Sequence, residues 1–171
     1  NEFYSTIRPK RVIEPGERPL HALRERGVEY VEVRCLDLDP FVAIGIAAST
    51  ASFIDIFLLH CLLSESPPDT PQEVAALARN QERTAARGRE PGLMLERGSA
   101  QVTLADWGKE VVAACEPIAV ALDGARGGAA HRDALASAIR SLSDPETVPS
   151  ARVLHAMARN HANSFVRFTL A

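Results

Sequence analysis

Gly27-Val28-Glu29-Tyr30-Val31-Glu32-Val33-Arg34-Cys35-Leu36-Asp37-Leu38-Asp39-Pro40 reads as a β-strand. Val31, Val33 and Cys35 alternate with Tyr30, Glu32 and Arg34, and period-two alternation rich in β-branched residues is the strand signal. One face is apolar. The other carries Glu32 and Arg34, two residues apart and therefore pointing the same way, with Cα atoms roughly 6.6 Å apart. After Cys35 the pattern inverts, so that Leu36 and Leu38 fall on the face of Glu32 and Arg34. The inversion predicts a bulge, or the end of the strand, near Asp37.

On pattern alone, an acid and an arginine on one strand face make an ordinary salt bridge on a solvated sheet. The functional reading is a carboxylate for a divalent metal beside a guanidinium for phosphate oxygens. Phosphoryl-transfer sites need both, because metal and cation share the charge on the transferred group.

Working outward, residues 1–12 form a second candidate strand. Phe3, Ser5 and Ile7 fall on one face, and Glu2, Tyr4, Thr6, Arg8 and Lys10 on the other. Pro9 has no N–H to give to a ladder, which predicts interrupted pairing or an edge. Pro19 and Gly27 bracket a short helix over 19–26. Beyond the strands come a loop over 40–47 pivoting on Gly45, then a helix capped by Thr50 or Ser52 and reaching about Ser64. That helix is apolar around nearly its whole circumference and so is the expected core helix, with Asp55 and His60 as satisfied core polar groups. Thr70-Pro71-Gln72-Glu73 is a capping box opening a helix that stops at Gly88. Its Arg79, Arg83 and Arg87 form a basic stripe, read as a solvated face or as an anion-binding one.

Residues 93–102 hold at most a short extended piece. A helix capped in 103–106 should turn Trp107, Val111, Ala114, Cys115, Ile118 and Leu122 inward, with Pro117 kinking or restarting it. A flexible link follows, from Asp123-Gly124 to Gly127-Gly128. Another helix spans 131–142, and a last one, capped by Ser150, reaches Met157. The tail over 160–171 shows no period, and only partial order is expected of it. Strands followed by a run of helices predict an α+β fold, a few-stranded antiparallel sheet packed with a mainly helical region. We read one domain over 1–171, with site strands in 1–40, helices in 50–157 and a tail in 158–171.

Composition narrows the function. The 171 residues are 46% hydrophobic and 24% charged, enough for a real core. A net charge of -3 and a pI near 6.0 argue against nucleic acid or a membrane surface as partner. The longest apolar run, 53–63, is too short to span a bilayer. Cys35, Cys61 and Cys115 are odd in number and widely spaced, which argues for a reducing cytoplasm rather than a disulfide framework or zinc site. The chain starts without Met inside a candidate strand, as a piece of a longer protein would. Phosphate loops, dinucleotide fingerprints, metalloprotease helices and nucleophile elbows are all missing from the sequence. The five histidines do not fall at metal-ligand spacing. A catalytic site here must be built from strand faces.

Phe3-Tyr4-Ser5-Thr6-Ile7-Arg8-Pro9-Lys10-Arg11 followed by Gly27 to Asp37 resembles glutamate–cysteine ligase of the proteobacterial type. Matches continue in order through Asp39-Pro40-Phe41, Ile44-Gly45, Phe53 to Phe57, Asn80, Arg83, Gly88 to Leu93, Gly108-Lys109, Leu122-Asp123 and Pro149 to Leu154. The resemblance covers residues 2–157 and places the chain in the C-terminal part of such an enzyme. It implies a sheet like that of glutamine synthetase, ATP and Mg2+ as cofactors, and L-glutamate and L-cysteine as substrates. The upstream part of the same enzyme would complete the site. It also implies that Glu32 is a magnesium ligand, that Arg34 is catalytic and holds the transferred phosphoryl group of the nucleotide, and that Tyr4 lies in the substrate pocket. Arg8 shares the face of Tyr4 and is the second substrate-binding candidate. Asp39, where the family pattern favours asparagine, Val42-Ala43, and a fading match after Met157 are departures. Two rivals stand beside this reading: a non-catalytic helical interaction module, and an anion-binding module using Arg79, Arg83 and Arg87.

Overall fold

The computed structural model describes residues 6–171, in two compact units, Asn1–Leu38 and Asp39–Ala171. Seven α-helices and two small antiparallel ribbons among these residues make the fold α+β, as expected.

In the first unit, β1 (Ile7–Lys10) pairs antiparallel with β2 (Tyr30–Val33), with Ile7 opposite Val33, Arg8 opposite Glu32, Pro9 opposite Val31 and Lys10 opposite Tyr30. The Arg34 N–H donates to the Thr6 carbonyl at 2.8 Å, carrying the ladder one pair further. That bond makes Thr6 and Arg34 a hydrogen-bonded pair. By alternation Arg8–Glu32 is another, whereas Pro9–Val31 is not. Pro9 therefore sits where β2 asks for no donor, and pairing runs through it. The strand over 27–40 is shorter than its pattern suggests. Cys35 adopts φ 61°, a left-handed conformation that turns the chain out of the ladder two residues before Asp37.

The connection is helix α1 (Pro19–Arg26), with Pro19 in its first turn and Gly27 at φ 72° just past its end. Arg26 grips Glu17 through two bonds of 2.8 and 2.7 Å and donates to the Val12 carbonyl at 3.1 Å. The guanidinium holds the Glu17 carboxyl below its ordinary range. Glu29 accepts the Val12 N–H at 3.1 Å, so this acid of the strand motif braces the connection.

In the second unit the core lies where α2 (Ala48–Leu63), α4 (Leu104–Arg126) and α5 (Ala130–Ser143) meet. Ile56, Val112, Cys115, Ala119, Ala134 and Leu135 are buried, with Phe53, Phe57, Ile118, Leu122 and Leu142 packed around them. Burying an Ile or Leu side chain contributes about 1.5–3 kcal/mol, and small Ala119 and Ala134 let the helices approach. Helix α2 is a core element, yet it is not buried all round: Leu62 and Leu63 are exposed near its end, and Asp55 is a surface group 4.0 Å from Arg126. It begins at Ala48, before the expected Thr50 or Ser52, with Ala47 as an N-cap that has no side-chain bond.

Helix α3 (Pro71–Arg87) starts as the capping box predicts, with the Glu73 N–H donating to Thr70 Oγ1 at 3.2 Å, and ends before Gly88. Residues expected to hold only a short extended piece form a complete ribbon, β3 (Met94–Arg97) and β4 (Ala100–Thr103), closed by Gly98 at φ 60°. Thr103 then caps α4, accepting the Asp106 N–H at 3.0 Å. Pro117 neither ends nor restarts α4, which runs on through the expected link to Arg126. Cys115, Ile118 and Leu122 face inward as expected, joined by Val112 and Ala119, whereas Ala114 is exposed.

Asp123, expected in a flexible link, is one of the most enclosed polar groups, 4% exposed. Its carboxylate accepts the backbone N–H of His131 at 3.0 Å and of Arg132 at 3.2 Å, and meets Arg132 Nε at 3.0 Å and His131 Nδ1 at 2.8 Å. It thus caps α5, whose own N-cap, Ala129, has no side chain to do so. Burial alone would raise its pKa, but the hydrogen bonds from His131 and Arg132 outweigh it and hold the carboxyl well below the usual range.

A 3₁₀ turn (Pro145–Thr147) leads into α6 (Pro149–Asn160), capped by Val148 rather than Ser150, which lies inside its first turn. The tail is more ordered than its sequence suggests. Ser164 caps a final helix, α7 (Phe165–Thr169), and Phe168 packs 6.1 Å from the Phe41 ring and edge-on, 5.6 Å, from His161.

Candidate active site on the first ribbon

The alternation of β2 and its register with β1 bring the polar side chains of both strands onto one face. Arg8 stands opposite Glu32, and Arg34 and Lys10 flank this pair along the face. Glu32 is the common partner. Its Oε2 lies 3.2 Å from Lys10 Nζ and 4.0 Å from Arg8 Nη1, and its Oε1 lies 3.7 Å from Arg34 Nε. Arg8 is buried, whereas Glu32 and Arg34 are each 40% exposed. Two of the expected site residues are thus accessible, and the third is buried beside them on the same face. Tyr4 lies outside the described residues. Alternation alone put Glu32 and Arg34 on one face of their strand and Arg8 and Lys10 on the polar face of the other. What it lacked was the pairing register, which joins the two faces and makes Lys10 the nearest cation to Glu32.

Three cations around one carboxylate create a surface suited to an anion with several charges, since guanidinium groups meet phosphate or carboxylate oxygens through paired donors. The bridging carboxylate keeps those side chains upright on the strand face, and it offers a hard oxygen of the kind magnesium takes.

The basic stripe of α3 behaves differently. Arg79 grips Glu96 of β3 with bonds of 2.9 and 2.6 Å, Arg83 reaches the same carboxylate at 2.9 Å, and Arg87 grips Glu90 at 2.7 Å through both nitrogens. Arg79 holds the Glu96 carboxyl below its ordinary range. Between the arginines, buried Asn80 exchanges two 2.8 Å bonds with the backbone of Glu96. Arg79 and Arg83 therefore share one carboxylate and fasten a helix to a ribbon, and Arg87 is paired locally with Glu90. The stripe is neither purely solvated nor open, which weakens the support for an anion-binding module. The sequence could not reveal it while β3 went unrecognised.

Comparison with known proteins places this geometry. The family model for glutamate-cysteine ligase matches residues 1–84, which include both strands of the ribbon. Glutamate–cysteine ligases of Pseudomonas fluorescens and Azotobacter vinelandii are 45% and 46% identical over 170 residues, each match covering 99% of this chain and 32% of the relative. A crystal structure of glutamate–cysteine ligase from Francisella tularensis in complex with AMP superposes with a TM-score of 0.84 at 32% identity, over 97% of this chain and 33% of that one. A bifunctional glutathione synthetase from Pasteurella multocida shares the fold, with a TM-score of 0.61 at 20% identity. Over nearly its whole length the chain is similar in sequence and fold to part of the glutamate–cysteine ligases. It spans about a third of the length of the curated relatives it matches. The matches with relatives continue through the tail, where the sequence alone seemed to lose the family pattern after Met157. Among the described residues, no helix is long and apolar enough to cross a membrane.

Proposed function

We propose that this chain supplies one wall of a site that joins L-glutamate to L-cysteine at the expense of ATP, the first step of glutathione synthesis. In this reaction an oxygen of the glutamate γ-carboxylate attacks the γ-phosphorus of ATP, ADP leaves, and an acyl phosphate forms. The cysteine amine then attacks the acyl carbon, phosphate departs with the bonding electrons, and the amine loses its proton. The observation that carries the reading is the Glu32–Arg34 face of a ribbon whose sequence and fold match this family.

Arg34 would hold the transferred phosphoryl group, where its fixed fork matches the equatorial oxygens and offsets charge that grows in the transition state. Arg8, buried opposite Glu32 across the ribbon, would position an anionic substrate group. Tyr4 would lie beside the cysteine moiety. Glu32 would be a magnesium ligand, and the chemistry of its carboxylate fits that role. Among the described residues no three His, Cys, Asp or Glu side chains gather to hold a metal, so Glu32 would be a single ligand to an ion shared with phosphate oxygens and the rest of the enzyme. Magnesium would supply neutralisation of the phosphate charge. Upstream sequence of the same enzyme would complete the substrate pockets. The free thiols of Cys35, Cys61 and Cys115 support a cytoplasmic location.

The test is product formation by the full-length protein supplied with ATP, magnesium, glutamate and cysteine. γ-Glutamylcysteine and ADP in equal amounts are expected. A folded protein that makes neither would overturn the reading.

A further inference from the structure

Lys10 shares the strand face of Arg8 and with it is a candidate to meet anionic groups; it is also the cation nearest Glu32, and Glu32 is its partner among the described residues. Arg34 likewise meets Glu32, through the other carboxylate oxygen. The two oxygens are therefore divided between an ammonium on β1 and a guanidinium on β2. The division is unequal in chemistry. A guanidinium is a rigid planar fork, whereas an ammonium is a compact charge on a four-carbon stem that re-aims easily. At 29% exposure the Lys10 side chain lies along the ribbon with a route to solvent.

The geometry points to Lys10 as a positioning residue of the phosphoryl-transfer site: its ammonium holds Glu32 Oε2 while that oxygen has no metal, and turns to the nucleotide phosphates when the oxygen is given up. The inference rests on the reading of Glu32 as a metal ligand. The physical ground is competition. A unit charge about 4 Å from a binding position changes the affinity of a divalent ion by about thirtyfold at the dielectric of water, and by less once salt screens it. Lys10 and a divalent ion seek the same oxygen, so Lys10 opposes the ion when no nucleotide is present. Once triphosphate oxygens are near, the same ammonium becomes a ligand for them. Lys10 thereby favours arrival of metal and nucleotide together over metal alone.

The test uses the full-length protein, with Mn2+ as a spectroscopic probe followed by electron paramagnetic resonance and a non-hydrolysable ATP analogue followed by calorimetry. Lys10→Met should tighten Mn2+ binding in the absence of nucleotide by about tenfold at ordinary ionic strength and should weaken binding of the analogue. Lys10→Arg, which keeps the charge, should leave Mn2+ binding near that of the parent. A side chain that merely braced the ribbon would weaken both ligands when removed. Unchanged or weaker Mn2+ binding in Lys10→Met, with Glu32→Gln losing a bound Mn2+, overturns the role of Lys10 and leaves that of Glu32 standing. Unchanged Mn2+ binding in Glu32→Gln overturns both. Thermal melts of each variant confirm that the ribbon is intact.

Discussion

Arg34 Nε lies 3.7 Å from Glu32 Oε1, on the same strand face and two residues away. Both groups are 40% exposed, so the pair is a weak brace by surface standards and available for ligands. Arg8 and Lys10 approach the same carboxylate from β1, which would preorganise the pair for the proposed phosphoryl transfer.

Glu32→Gln keeps the shape of the side chain and removes its charge. In the full-length protein, the magnesium concentration giving half-maximal turnover should rise by about tenfold or more, as loss of a charged ligand implies. A magnesium titration of initial rates checks this, and an unchanged midpoint contradicts the role.

Asp123→Ala should destabilise the α2–α4–α5 core without touching the ribbon. It removes the cap of α5 and leaves the buried His131 ring and two backbone N–H groups without their acceptor. The melting temperature should fall by about 5 °C or more, as followed by circular dichroism.

Acid should loosen the molecule in a definite direction. Asp123, Glu96 and Glu17 are all held below their ordinary pKa values in the folded chain. Groups depressed in this way bind fewer protons folded than unfolded. Their stabilisation is complete above the unfolded values, near 4, and is lost as pH falls through the folded ones. Urea melts from pH 7 to pH 3 should show midpoints falling below about pH 4.5. Glu96→Gln should make that fall shallower.

Ile56→Ala empties the centre of the helical core, where Ile56 is fully buried. A cost of about 2–5 kcal/mol is expected, measured by denaturant unfolding.

Phe168→Ala removes the ring that α7 lays against Phe41. The loop beside it is closed by the Asp39 N–H to Gly45 carbonyl bond at 2.8 Å and by Arg152, whose guanidinium stands 4.0 Å over the Phe41 ring and 3.6 Å from Asp39. The amide of Asp39 should then exchange with solvent about tenfold faster by hydrogen-exchange measurement.

Much of this was legible in the residues, and the failures share a cause. Local chemistry announced α1 through Pro19 and Gly27, α3 through Thr70 and Glu73, and the polar face of β2 through strict alternation. The readings that missed were those set by distant partners. Asp123-Gly124 looked like a link because nothing nearby reveals that the carboxylate caps the next helix. Pro117 looked like a break, but packing around Cys115 and Ala119 sustains α4 through it. The ribbon of Met94 to Thr103 has short strands with mixed polarity, and its support comes from Asn80 on another helix. In the site, alternation placed Glu32, Arg34, Arg8 and Lys10 on polar faces, while the pairing of Lys10 with Glu32 needed the register.

The most direct test of the central claim is Arg34→Ala in the full-length protein, assayed as cysteine-dependent ADP release alongside ATP affinity. Turnover should fall by about 100-fold or more, with ATP affinity changed by less than about threefold, because the lost contact is strongest in the transition state. Unchanged turnover in a properly folded Arg34→Ala protein would contradict the assignment of this strand face to phosphoryl transfer.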